Sequence, residues 1–141
     1  MKQAFHTVTL STQGPGLYEI TPALGKFIAG EKIENGLVTC LIRHTSASLL
    51  IQENADPDVQ KDLQDFFAHL AKNGLNYRHT AEGPDDMPSH IRAALTQTSI
   101  AIPVEGGKAA LGTWQGLYIF EHRDAPHRRE VLLHVIGLVR E

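Results

Sequence analysis

Apolar and polar residues alternate along residues 3–12, and this period of two predicts a half-buried strand. Gln13-Gly14-Pro15-Gly16 interrupts it as a turn, and Leu17-Tyr18-Glu19-Ile20 resumes as a strand, so a hairpin is expected. The period then lengthens. Leu24, Phe27 and Ile28 share one face of a short helix, with Thr21 as its expected cap, Pro22 at its first position and Gly30 as its stop. Asn35-Gly36 reads as a further turn. Alternation returns from Leu37 to Ile42 in a central strand: Val38, Cys40 and Ile42 lie on one side, continued by His44, with Leu37, Thr39, Leu41 and Arg43 on the other. Thr45–Ser48 is a turn, followed by a second buried strand over Leu49-Leu50-Ile51.

The longest helical pattern covers residues 57–72. Asp56 caps it, Pro57 takes the first position, and Val59, Leu63, Phe66, Phe67 and Leu70 form its apolar face before Asn73-Gly74 ends it. Leu75–Thr80 reads as a short extended segment. The Gly/Pro-bracketed loop Ala81–Pro88 leads into a helix reaching about Thr96. Strands follow at 98–104 and 117–122; on the latter Tyr118, Phe120 and His122 share a face while Glu121 points the opposite way. Residues 131–139 are almost wholly apolar and predict a strand buried on both faces. With no linker, low-complexity segment or internal repeat, residues 1–141 are expected to form one domain.

Composition narrows the possibilities only a little. An apolar content of 42% and a charged content of 21% are ordinary for a soluble globular protein. The formal charge of −3 offers no basic footprint for nucleic acid. The one cysteine, Cys40, permits no internal disulfide, and the apolar runs are too short to span a membrane. The opening Met-Lys-Gln-Ala-Phe-His lacks an apolar signal region, so a cytoplasmic protein is expected, with neither nucleic acid nor membrane as partner.

Eight histidines are the compositional oddity. His6, His69 and His134 have no chemical company, but His44, His79, His90, His122 and His127 all fall at element ends or in turns, where functional groups concentrate. Gly83-Pro84-Asp85-Asp86-Met87-Pro88-Ser89-His90 adds two adjacent carboxylates where a loop enters a helix. A helix cap needs one of them; the pair with a nearby imidazole also suits a divalent metal. His44-Thr45-Ser46 is either a strand-end turn or an anion cradle with His44 as proton donor. Arg123, Arg128 and Arg129 flank His127 in a charged loop that either faces solvent or meets phosphate.

These segments occur together and in order: His44-Thr45-Ser46-Ala47-Ser48-Leu49, Gln52–Val59, Tyr77-Arg78-His79, Gly83–His90, Leu111-Gly112-Thr113-Trp114-Gln115-Gly116, Glu121-His122-Arg123 and Pro126-His127-Arg128. The sequence thereby resembles the YjbQ family, small proteins often labelled secondary thiamine-phosphate synthases. The resemblance implies an α+β fold of two packed, mainly antiparallel β-sheets with a few short helices. It also implies a homotrimer and a histidine-lined pocket near a subunit boundary. The activity attached to the label joins a pyrimidine diphosphate to a thiazole phosphate and releases pyrophosphate. On that chemistry His44, Asp86 and His90 are the expected catalytic groups. Thr45, Ser46, Ser48, Asp85, Arg123, His127 and Arg128 are expected to bind a phosphorylated small-molecule substrate. The divalent metal would be Mg²⁺ on the aspartates, or a zinc-like ion on His79, His90 and His122. A metal-dependent hydrolase and a non-catalytic metabolite-binding trimer are the alternatives.

Overall fold

The computed structural model describes all 141 residues. Eight strands and three helices run in the order β1 (Lys2–Thr12), β2 (Gly16–Glu19), α1 (Thr21–Gly30), β3 (Ile33–Ile42), β4 (Ala47–Glu53), α2 (Pro57–Leu70), α3 (Asp86–Leu95), β5 (Ser99–Glu105), β6 (Lys108–Ala109), β7 (Gln115–Glu121) and β8 (His127–Val139). They form a five-stranded sheet, β1-β8-β3-β5-β6, and a three-stranded sheet, β2-β7-β4, with every pairing antiparallel. The expected α+β architecture of two packed antiparallel sheets is therefore present. No helix is long and apolar enough to cross a membrane.

The core lies between the sheets. Val38, Cys40 and Ile42 of β3, Val131, Leu133 and Val135 of β8, and Ile100, Ile102 and Val104 of β5 point inward, meeting Leu49 of β4 and Leu117 and Ile119 of β7. The apolar face of α1, Leu24, Phe27 and Ile28, packs into the same cluster. Alternation in the sequence thus sets which side of each strand is buried. The Cys40 thiol is among these groups, and burial pushes its pKa up to about 12, so it acts as a small apolar side chain.

Four local expectations are corrected. β1 and β2 form no hairpin, since β1 pairs with β8 and β2 with β7 in different sheets. Asn35-Gly36 is no turn: both residues lie inside β3, beside a register irregularity, and Gly36 pairs with Gly137 of β8. Glycine is needed there for close backbone approach, since a Cβ on Gly36 would lie 2.2 Å from the Ile136 carbonyl oxygen. Thr21 is the first residue of α1, not its cap. Ile20 occupies the cap position, while the Thr21 hydroxyl accepts from the Leu117 amide at 2.9 Å and donates to Glu19 at 2.8 Å. Finally, β8 is buried on one face only: Ile136 is 40% and Leu138 54% exposed. No second layer covers that side of the five-stranded sheet within the protomer, so Phe5, Leu37 and Leu41 are left exposed as well.

Candidate metal centre

The entry to α3 sets the site. Gly83 adopts φ +109, which a side-chain-bearing residue resists, and the chain turns there into the Asp85-Asp86 pair. Asp85 holds the cap position without making a side-chain cap bond, and Asp86 is the first helical residue. His90 follows one turn later on the same face, as the i, i+4 spacing requires. His79 reaches the pair from the segment before the loop. Its Nε2 lies 2.6 Å and that of His90 3.2 Å from the same oxygen, Asp86 Oδ2. One ligand atom from each of His79, Asp86 and His90 falls within 4.8 Å of the others.

Arg123, just beyond β7, fixes the carboxylates from behind. Its Nη1 donates to Asp86 Oδ1 and its Nε to Asp85 Oδ2, both at 2.9 Å; the Asp124 amide donates to the same Asp85 oxygen. Burial alone would push both carboxyls up. The Arg123 and Asp124 bonds to Asp85, and His79, His90 and Arg123 around Asp86, outweigh it and hold both below their ordinary value. Two carboxylates against one guanidinium leave a single net negative charge facing the two imidazoles.

The donor count at His90 decides what the cluster can hold. His90 Nδ1 lies 2.8 Å from the Thr45 carbonyl oxygen, which can only accept, so Nδ1 carries a proton. A neutral ring then turns the Nε2 lone pair toward Asp86 Oδ2, setting two acceptors face to face. A proton or a cation has to lie between them. A carbonyl holding Nδ1–H while Nε2 and a carboxylate oxygen converge is the outer-shell arrangement of a metal-binding histidine. Two imidazoles and a carboxylate, with His79 half exposed, fit a zinc-like divalent ion with a position left open.

The other expected residues are distributed as follows. His44 and Thr45 line a neighbouring cavity of about 220 Å³ together with His90. His44 Nε2 accepts from the Glu130 amide at 2.8 Å, leaving its proton on Nδ1, and burial together with Arg129 lowers its pKa. The structure does not bring His122 to the cluster. That imidazole is buried against Ser48 Oγ at 2.9 Å, and Asp86 takes the third position instead. Ser46 and Ser48 are buried, Ser46 accepting from Arg129. Asp85 and Arg123 are turned toward each other. His127 bonds the Ala125 carbonyl, and Arg128 is exposed.

Two arginines carry weight that sequence reasoning missed. Arg129 is 3% exposed and forks onto Glu121, which is fully buried rather than solvent-facing. Glu121 also accepts from Thr12 and from the amides of His122 and Arg123, so this ion pair aims the turn that carries Arg123. The signal was present: Arg129 has the inward parity of Val131, Leu133 and Val135. Arg92 donates to the carbonyls of Phe67 and Ala71 and joins α2 to α3; nothing in its sequence context marks it.

Residues 6–138 match the family described as UPF0047 protein YjbQ-like. The chain belongs to the YjbQ family. A UPF0047 protein of Synechocystis is 50% identical, the match covering 98% of this chain and 95% of that protein. Escherichia coli YjbQ is 39% identical over 93% of this chain and 96% of its own. A crystal structure of a YjbQ/UPF0047 protein from Clostridium acetobutylicum superposes with a TM-score of 0.86 at 33% identity, covering 93% of this chain and 99% of that one. A Sulfolobus solfataricus structure shares the fold at TM-score 0.89 and 20% identity, covering 97% and 99% of the two chains.

Proposed function

We propose that this YjbQ protein is a cytoplasmic, divalent-metal-dependent enzyme acting on a phosphorylated small molecule, with His79, Asp86 and His90 as the metal ligands. The convergence of two Nε2 atoms on one buried carboxylate oxygen carries the reading. A cation bound there would neutralise charge developing on a departing phosphate oxygen. Arg123 is committed to Asp85 and Asp86, so it orients the carboxylate ligand instead of meeting phosphate. Thr45 supplies the carbonyl that fixes the His90 tautomer. His44, its Nε2 held as an acceptor by the Glu130 amide, would offer its Nδ1–H as a hydrogen-bond donor to substrate in the adjoining cavity.

The particular reaction we assign is thiamine-phosphate synthesis of the kind the family's label describes: a thiazole-phosphate ring nitrogen bonds to the pyrimidine methylene as its bond to pyrophosphate breaks. The purified protein should contain near-stoichiometric zinc or bind it on titration. With both substrates it should release pyrophosphate, and His90→Ala should abolish both properties. Hydrolysis of a phosphate-ester panel without coupling would favour a metal-dependent hydrolase. Metal binding without any turnover would leave a metabolite-binding protein.

We also propose that a homotrimer covers the apolar outer face of the five-stranded sheet. Phe5, Leu37, Leu41, Ile136 and Leu138 are all exposed on this one face of paired strands, and self-association buries apolar side chains of this kind.

A further inference from the structure

Behind the cluster, under α2, lies a separate cavity of about 290 Å³. Helix α2 roofs it without burying any residue fully. Phe67 meets the Phe120 ring edge-on at 5.4 Å, and Ala68 beside it leaves the space unfilled. His122 lines the cavity and is only 1% exposed. Its Nε2 is held by Ser48, and its Nδ1 has no partner within the protein. Nδ1 is not sealed off, since Glu53 Oε2 is the sole fully enclosed side-chain atom without a hydrogen bond; it opens to the cavity and is free to meet a ligand there.

The groups behind His122 let that open nitrogen change role. Thr96 Oγ1 lies 2.6 Å from Ser48 Oγ and 2.9 Å from the Arg92 carbonyl oxygen. When Thr96 donates to Arg92, Ser48 donates to Thr96 and His122 Nε2–H donates to Ser48, so Nδ1 is an acceptor. When Thr96 donates to Ser48, Ser48 donates to Nε2 and Nδ1 carries the proton. Neither arrangement leaves a hydroxyl unpaired.

The charges around the cavity cancel. Arg92 and Lys72 stand against Glu121 and Asp124, with Arg92 committed to carbonyl oxygens and Glu121 to Arg129. Burial and Arg92 keep the imidazole neutral, its pKa lowered to about 3. Two side-chain amides, Gln64 and Asn73, complete the polar lining. Aromatic walls, amides that donate and accept, and a neutral imidazole able to do either suit a flat uncharged ring with a donor–acceptor edge.

We propose that the cavity between α2 and β7 binds a small neutral aromatic ring bearing a carboxamide or amino donor–acceptor edge, which hydrogen-bonds to His122 Nδ1 and packs on Phe120. The site does not depend on the metal cluster, so it stands or falls apart from the proposed activity.

The test is NMR of protein carrying ¹⁵N-labelled histidine, titrated at pH 7.5 with nicotinamide, with cytosine, and with nicotinate as the charged isostere of the first. Nicotinamide or cytosine should shift the His122 ring nitrogens saturably at millimolar concentration, and nicotinate should not. Ala68→Trp and Gln64→Phe each place a large ring at the cavity, and each should abolish the shift while leaving metal binding intact. The proposal is overturned when neither neutral ring moves the His122 signals. It is equally overturned when nicotinate moves them as nicotinamide does, or when both cavity-filling variants keep the response.

Discussion

Replacing Asp86 by Asn separates a metal ligand from a structural carboxylate. Asp86 is 1% exposed, and its two oxygens divide their work: Oδ1 receives Arg123, and Oδ2 faces His79 and His90. Asparagine keeps one oxygen for Arg123 and turns an NH₂ group toward the imidazoles, so the shape survives and the charge does not. Arg123 retains its 2.9 Å bond to Asp85 and is not left unpaired. Charge-assisted bonds are roughly twice as strong as neutral ones, and relief of carboxylate desolvation offsets part of that loss. The net cost should be about 2 kcal/mol, a fall in Tm of about 6–10 °C for a chain of this size. Metal affinity should fall further, by at least about 10–100-fold, because a ligand has lost its charge. Asp85→Asn is the matched control: it removes the same charge one residue away and weakens the Arg123 clamp without touching either imidazole. It should cost similar stability while keeping zinc affinity within a few-fold of the parent. Calorimetric unfolding together with zinc titration of both folded variants reads the two quantities separately. Equal loss of zinc affinity in the two variants, or undiminished affinity in Asp86→Asn, would refute the assignment of Asp86 as a ligand.

Four further outcomes follow from other parts of the molecule. His122 has a folded pKa of about 3 against 6.5 for the free side chain, so between those values the unfolded chain binds a proton that the folded one does not. Its contribution to stability is complete above pH 6.5 and declines as pH falls toward 3; His122→Gln should flatten the stability–pH curve in that window by up to about 1.4 kcal/mol per unit, and parallel curves would contradict it. Ile136→Asp, a change on the uncovered sheet face, should convert the proposed trimer to monomers by light scattering with the far-UV spectrum preserved; an unchanged mass would place any interface elsewhere. Gly36→Ala should destabilise by several kcal/mol, about 3 or more, because its Cβ meets the Ile136 carbonyl oxygen. Gly25→Ala, in the open middle of α1 with nothing within 4 Å, should instead stabilise by about 0.5–1 kcal/mol by chemical denaturation.

The sequence by itself determined the things that depend on neighbours along the chain. Alternation marked the inward side of β3 and β5, and Asp56-Pro57-Asp58 opened α2 with the expected bond from the Asp58 amide to the Asp56 side chain. The spacing of Asp86 and His90 put them on one helical face. The ordered motifs identified the family, and with it the two-sheet architecture. What depended on residues distant in sequence was decided only by the tertiary structure. Asn35-Gly36 has the local signature of a turn, yet β8 passes so near that Gly36 is a point of backbone approach. His122 and His79 look equivalent in the sequence, but Ser48 captures the first and Asp86 receives the second. Arg123 and Arg129 fall in one charged run of sequence, but Arg129 belongs to β8, and the packing sends one to Asp85 and Asp86 and the other to the buried Glu121. Local pattern fixes which way a side chain leaves its own strand or helix. Its partner is set by how those elements pack, because hydrogen bonds and ion pairs are decided over a few ångströms between segments many residues apart.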